Sequence, residues 1–179
     1  MWKKIKTCYP PIIDAATFLI LLLTIIYVSI YFGQLPDEIP RHFNLAGEPD
    51  GWSGKGMLIG FLIIYLHTLL LLFVLNYFLI IRSDNPRGGL QFVNIPTVNF
   101  DELTDRQIEK VRSIAARMLA MMNLLISIMF ASIHIGIVRT ALGSKDGIGW
   151  GTELILVCLI ATLVYYTWKI IREAKRRDD

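Results

Sequence analysis

The stretch MLIGFLIIYLHTLLLLFVLNYFLII, residues 57–81, decides the fold, for it holds no Asp, Glu, Lys or Arg. An α-helix rises 1.5 Å per residue, so about 20 apolar residues cross the roughly 30 Å of hydrocarbon in a bilayer. This run is long enough to span with tilt. His67 and Asn76 interrupt its apolar character. Polar groups at membrane depth are costly and turn toward a bundle interior, so His67 is expected as a neutral imidazole bonded to a neighbouring helix. A ligand or proton-relay role is its alternative.

Three more apolar runs lie outward from this one, at about 12–33, 118–138 and 151–168. The 179 residues are 54% hydrophobic and 18% charged, and no soluble domain of that length could bury four such blocks. The expected fold is all-α: a polytopic membrane protein of four transmembrane helices, with a structured extracytoplasmic loop between helices 1 and 2. The whole chain, 1–179, is expected to form one membrane domain. Its outer loop is 34–56, and 82–117 is a cytoplasmic loop with a basic stem.

The first run follows Lys3, Lys4 and Lys6 but is longer than a signal-peptide core and lacks an A-x-A-like site, so it reads as a retained span. Asp14 near its start is expected at headgroup depth, solvated, with a functional intramembrane carboxylate as the alternative. In the polar connection, residues 92–99 are expected as a short extended piece split at Pro96. Thr104 and Gln107 have the spacing of a helix capping box. Val111, Ile114, Ala115, Met118, Leu119 and Met122 then recur at helical spacing, with Arg106, Lys110, Arg112 and Arg117 on a solvated basic side. Trp150 and Trp168 bracket the last run as an aromatic belt would, and Glu153 falls in its first turn.

Orientation comes from the lysines and arginines, 18 in all. Arg41, Lys55, Arg139 and Lys145 fall on the side of the first and third loops, and every other one falls on the opposite side. The positive-inside rule then makes both termini cytoplasmic. Cys8 and Cys158 follow no metal or disulfide spacing. The net charge of +3 is accounted for by topology, and no nucleic acid is expected.

The loop between the first two spans carries the chemistry. Pro36 and Pro40 disfavour helix, and Ile39 to Leu45 is expected as a short strand. Glu48-Pro49-Asp50-Gly51 suits a type I turn, and Trp52 suits an interfacial anchor. The pattern L-P-x-x-I-P-x-H-F-x-x-x-G-x-P-D-x-W-x-x-K over residues 35–55 resembles a bacterial membrane family of unknown function. That family's domain also forms the N-terminal part of SdpI-type toxin immunity proteins. The resemblance covers about residues 12–82, and nothing after Arg82 matches the C-terminal part of those relatives. It implies immunity or sensing through the outer loop.

The expected ligand-binding residues are Pro36, Pro40, His42, Phe43, Gly47, Asp50, Trp52 and Lys55, with no catalytic residue and no cofactor. A hydrogen bond that closes the cap is the plainer role for His42. The competing class is a metal-dependent membrane enzyme, in which His42, His134 and Glu153 would hold zinc with an open position. No H-E-x-x-H, G-x-S-x-G or phosphate-loop pattern supports it. A small transporter subunit is a further alternative, without the paired intramembrane charges that usually mark one. The expected partners are membrane lipids, a peptide ligand on the outer face, a cytoplasmic protein on the stem, and further copies of the chain.

Overall fold

The computed structural model describes residues 1–83, 85–90, 95 and 98–176. The expected extended piece at 92–99 and the tail residue Arg177 lie wholly or partly outside the described residues. Helix α1 is Trp2–Cys8, α2 is Ile12–Tyr31, α3 is Met57–Leu75, α4 is Pro86–Leu90, α5 is Asp105–Ala141 and α6 is Gly151–Ala174. Strands β1, Glu38–Phe43, and β2, Pro49–Gly54, form a two-stranded antiparallel sheet. Four helical segments are long and apolar enough to cross a membrane: Ile12–Gln34, Met57–Ile81, Asp105–Ala141 and Gly151–Ala174. Each of the four expected spans falls on one of these helices. The third differs in extent, because stem and span form one 37-residue helix with no break between them.

Contacts group into two compact units. The first is Met1–Ala15, Leu70–Leu124 and Leu159–Asp179; the second is Ala16–Leu69 and Leu125–Cys158. In the first unit, Ile5, Cys8, Ile80, Ile81, Ile108, Val111, Ala115 and Ile170 make an apolar core. The alanines of α5 let its neighbours approach closely, as small residues do in membrane helix packing.

The expected capping box is present: Gln107 N–H donates to Thr104 Oγ1 at 3.3 Å, and Gln107 Oε1 accepts from Thr104 N–H at 2.9 Å. The same Gln107 reaches further than the sequence shows. Its Nε2 donates to Ala174 O at 3.2 Å and Arg176 O at 2.9 Å, satisfying carbonyls that the end of α6 leaves without helical partners.

The basic side of the stem is not simply solvated. Cys8 O lies at the end of α1, and Pro10 and Pro11 have no N–H to offer it. Arg117 Nη2 and Nε donate to it at 2.8 and 3.2 Å, and Ser113 Oγ at 3.3 Å. Arg112 Nη1 likewise donates to Ser83 O at 2.8 Å.

Asp14 also departs from expectation. It is 3% exposed, and Tyr9 O–H donates to its Oδ2 at 3.1 Å. Burial, then the nearby carboxylate, pushes the Tyr9 phenol far above its usual range, so it stays a donor. Asn76 Nδ2 in turn donates to Tyr9 Oη at 3.2 Å and to Ala116 O at 3.0 Å. Asn76 opens a π-helical segment, Asn76–Ile81, that extends α3.

In the second unit, Tyr65 O–H donates to Ser127 O at 2.8 Å, and Ser127 Oγ donates to Thr17 O at 2.9 Å. The Tyr65 ring stacks on Phe130 with centroids 5.0 Å apart. Among the described residues His67 has no bond to a neighbouring helix. Its Nδ1 meets Ile63 O one turn earlier in its own helix, at 2.8 Å, and the ring is exposed. Self-bonding within a turn satisfies the backbone-facing nitrogen without any partner helix.

Two substitutions test the role of Gln107. Thr104→Ala is expected to cost about 1 kcal/mol, the usual worth of an N-cap. Gln107→Ala is expected to cost more, about 2 kcal/mol, because it also releases the two α6 carbonyls. Thermal unfolding of the detergent-solubilised protein measures both, and equal losses would contradict the double role.

Candidate functional site

The loop between the first two spans folds as a hairpin. Leu35 and Ile39 are buried against Val28, Leu58, Ile137 and Val138, which anchors its base in the second unit. Lys55 closes that base: its N–H donates to Asp37 O at 3.0 Å, and its Nζ reaches Leu35 O at 3.2 Å and Asp37 Oδ1 at 3.4 Å. Its ammonium also sits 6.0 Å from the Phe32 ring centroid.

The expected turn at Glu48-Pro49-Asp50-Gly51 is displaced, because Pro49 to Gly51 belong to β2. The chain reverses earlier, at Asn44-Leu45-Ala46-Gly47. There Gly47 N–H donates to Asn44 O, and Asn44 N–H donates to Glu48 O, both at 2.9 Å. The Asn44 side chain accepts from Ala46 N–H at 2.9 Å and Glu48 N–H at 3.0 Å. Asparagine at this position imitates a backbone turn, and Gly47 at φ +81° supplies the left-handed residue that rejoins the strands. A proline-led turn pattern was available four residues later, but the Asn44 side chain satisfies more backbone donors.

Across the sheet, His42 faces Gly51, with register irregularities on both sides of His42. These bulges leave Arg41 and His42 both exposed. His42 Nδ1 and Asp50 Oδ1 are hydrogen-bonded between the strands. This is the cap-closing bond expected as the plainer role of His42. A Cβ on Gly51 would come within 3.2 Å of His42 Cβ, so the glycine makes room for that pairing.

The expected ligand-binding residues divide into two groups. Pro40 and Gly47 are buried, Phe43 and Lys55 are half-buried, and these four build the hairpin. Pro36, His42, Asp50 and Trp52 are exposed. Leu45 at the hairpin tip is fully exposed as well, and neither its position nor its exposure carries a motif signal.

A second loop meets the tip. Ile148 N–H donates to Gly47 O at 3.1 Å, and Lys145 Nζ donates to Ile148 O at 2.9 Å. A Cβ on Gly147 would overlap Gly47 O, and a Cβ on Gly136 would collide with the Ile148 side chain. Glycines on α5 and in the α5–α6 connection thus permit a close fit to the hairpin. Trp150, two residues beyond the contact, is strongly exposed. The sequence gives a short turn here but no sign that it binds the hairpin, because glycine reads the same whether it serves flexibility or close approach.

The proposed zinc ligands are not brought together. Among the described residues no three His, Cys, Asp or Glu side chains form a group able to hold a metal. His134 is fully buried, and its Nδ1 lies 2.7 Å from Phe130 O. A carbonyl can only accept, so Nδ1 carries the hydrogen and Nε2 keeps its lone pair, with no partner for it among the described residues. Around it stand aromatic rings, those of Tyr65 at 5.8 Å and Phe61 at 6.3 Å. Glu153 is exposed on the first turn of α6.

Residues 19–66 match the family described as "Domain of unknown function (DUF1648)". The match takes in most of α2, the whole hairpin and the first half of α3, a shorter reach than the resemblance over 12–82. No curated protein and no solved structure matches the chain.

The loop-to-hairpin fit predicts a contrast between two glycines. Gly147→Ala forces its methyl onto a backbone carbonyl and is expected to cost about 1–3 kcal/mol, with faster amide exchange at Ile148 and over residues 44–48. Gly60→Ala meets nothing within 4 Å and is expected to be neutral or slightly stabilising. Unchanged exchange at Ile148 in the Gly147 variant would contradict the fit.

Proposed function

We propose that the chain is a non-enzymatic bacterial membrane protein whose hairpin recognises a ligand outside the cytoplasm, a toxic peptide or an envelope component. The observation that carries this reading is the hairpin itself. A two-stranded sheet is marginal in water, yet here it is tied down at both ends. Lys55 closes its base and Ile148 holds its tip. Exposed Trp52 and Leu45, with Trp150 nearby in sequence to the tip contact, supply apolar surface. Arg41, His42 and Asp50 supply charge and hydrogen bonds. Large rigid aromatics with adjacent charges are the usual anchors of peptide recognition.

The distribution of lysine and arginine supports placing this hairpin outside and both termini in the cytoplasm. The motif over residues 35–55 is similar to that of SdpI-type immunity proteins, which favours a peptide toxin over other envelope ligands. In this reading Phe43, Pro40, Gly47 and Lys55 hold the surface in shape, and Pro36, His42, Asp50 and Trp52 touch the ligand. The stem at the start of α5 relays occupancy or binds a cytoplasmic partner.

The test is genetic. Deleting the gene is expected to sensitise cells to a secreted peptide of their own or a neighbouring strain. Trp52→Ala and Leu45→Asp are expected to fail to restore resistance while reaching the membrane at normal levels, and Gly60→Ala is expected to restore it. Unchanged sensitivity after deletion would end the immunity reading.

A further inference from the structure

The last turns of α6 carry a charged cleft that the hairpin reading does not use. Lys169, Arg172, Glu173 and Arg176 line it, and it encloses about 540 Å³. Arg172 and Glu173 stand three and four residues after Lys169 on the last turns of α6, and Arg176 follows just beyond the helix end. Among the described residues Glu173 is the one acid that lines the cleft, and it is already engaged: Lys110 of α5 donates to its Oε1 at 2.6 Å. None of Lys169, Arg172 and Arg176 has a carboxylate partner among the described residues. The cleft therefore presents three cations whose counter-charge has been removed by a fourth.

One turn back along the same helix stand Tyr165 and Trp168, both about half exposed. The Lys169 ammonium is 5.8 Å from the Tyr165 ring centroid, and the Arg172 guanidinium is 5.3 Å from that of Trp168. These cation–π contacts hold the charged heads over rings that belong to the apolar part of the span. The sequence of surfaces along α6 is thus apolar helix, aromatic ring, cation. That is the order met on going from acyl chain through glycerol to phosphate in a phospholipid.

We propose that this cleft binds the phosphodiester of an anionic phospholipid headgroup. Lys169, Arg172 and Arg176 surround the phosphate, and Tyr165 and Trp168 lie against the glycerol and upper acyl chain. Arginine offers paired donors to phosphate oxygens, and lysine adds a point charge. Lys110 is a positioning residue: it touches no lipid and acts by neutralising Glu173. The aromatic rim distinguishes a lipid from free phosphate, and from an acidic peptide that stays in water.

Native mass spectrometry of the full chain in a neutral detergent tests this, with phosphatidylglycerol, phosphatidylcholine and inorganic phosphate as probes. The expected result is retention of phosphatidylglycerol over phosphatidylcholine by about tenfold or more. The triple variant K169Q/R172Q/R176Q is expected to lose that preference. Lys110→Gln is expected to weaken it several-fold by freeing the Glu173 carboxylate, and the double variant K110Q/E173Q is expected to restore it. A merely structural Lys110 would show no such rescue. Equal retention of the two lipids, an unaltered preference in the triple variant, or full displacement of lipid by inorganic phosphate would overturn the proposal.

Discussion

Hydrocarbon offers no hydrogen bonds, so a polar group on a membrane-crossing helix is costly unless it finds a partner inside the protein. The rest of the structure follows from how that requirement is met. In the second unit Tyr65, Ser127 and the carbonyl of Thr17 satisfy one another, and ring stacking on Phe130 fixes the tyrosine. The first unit meets the same requirement through Asp14, Tyr9, Asn76 and the carbonyl of Ala116. Elsewhere on α5 the side chains of Gln107, Ser113 and Arg117 finish the ends of other helices. One long helix thus contributes polar partners in both units, and apolar burial alone would not specify which residue of it meets which neighbour.

The hairpin answers the opposite problem. In water its strands lack the area to be stable alone, and its surface is mostly polar. Stability comes from the buried Leu35 and Ile39 at the base and from a backbone bond at the tip. Both leave Pro36, Leu45 and Trp52 exposed, while the exposed His42 and Asp50 also bond each other across the strands. A surface held this way loses little conformational freedom on meeting a ligand, which favours recognition over a mobile lid.

Much of this was legible in the sequence because hydrocarbon thickness is a strict ruler. The four apolar runs read directly as spans, and Thr104 and Gln107 read as a capping box, since both signals are local. What failed depended on distance. Asp14 reads as a solvated headgroup residue because its position near the start of an apolar run does not reveal that Tyr9 donates to it, nor that Asn76 in turn donates to Tyr9. The stem arginines looked like a solvated face because the carbonyls they satisfy belong to other segments. The turn was misplaced by four residues because Pro49 gives a strong local signal, whereas Asn44 acts through its side chain. Nothing local in the sequence shows that Gly147 admits Gly47 and Gly136 admits Ile148 at close range. The expected ligand residues were named as one set, but burial splits them into builders and exposed groups.

The proposed function requires the hairpin to lie outside the membrane and the end of α6 on the cytoplasmic side. Single-cysteine labelling in intact cells measures it most directly, with Cys8 and Cys158 replaced by serine and a membrane-impermeant thiol reagent outside. The account predicts that Leu45→Cys is labelled at once, whereas Lys175→Cys is labelled only after the membrane is permeabilised. Labelling of Lys175→Cys in intact cells with Leu45→Cys protected would contradict it.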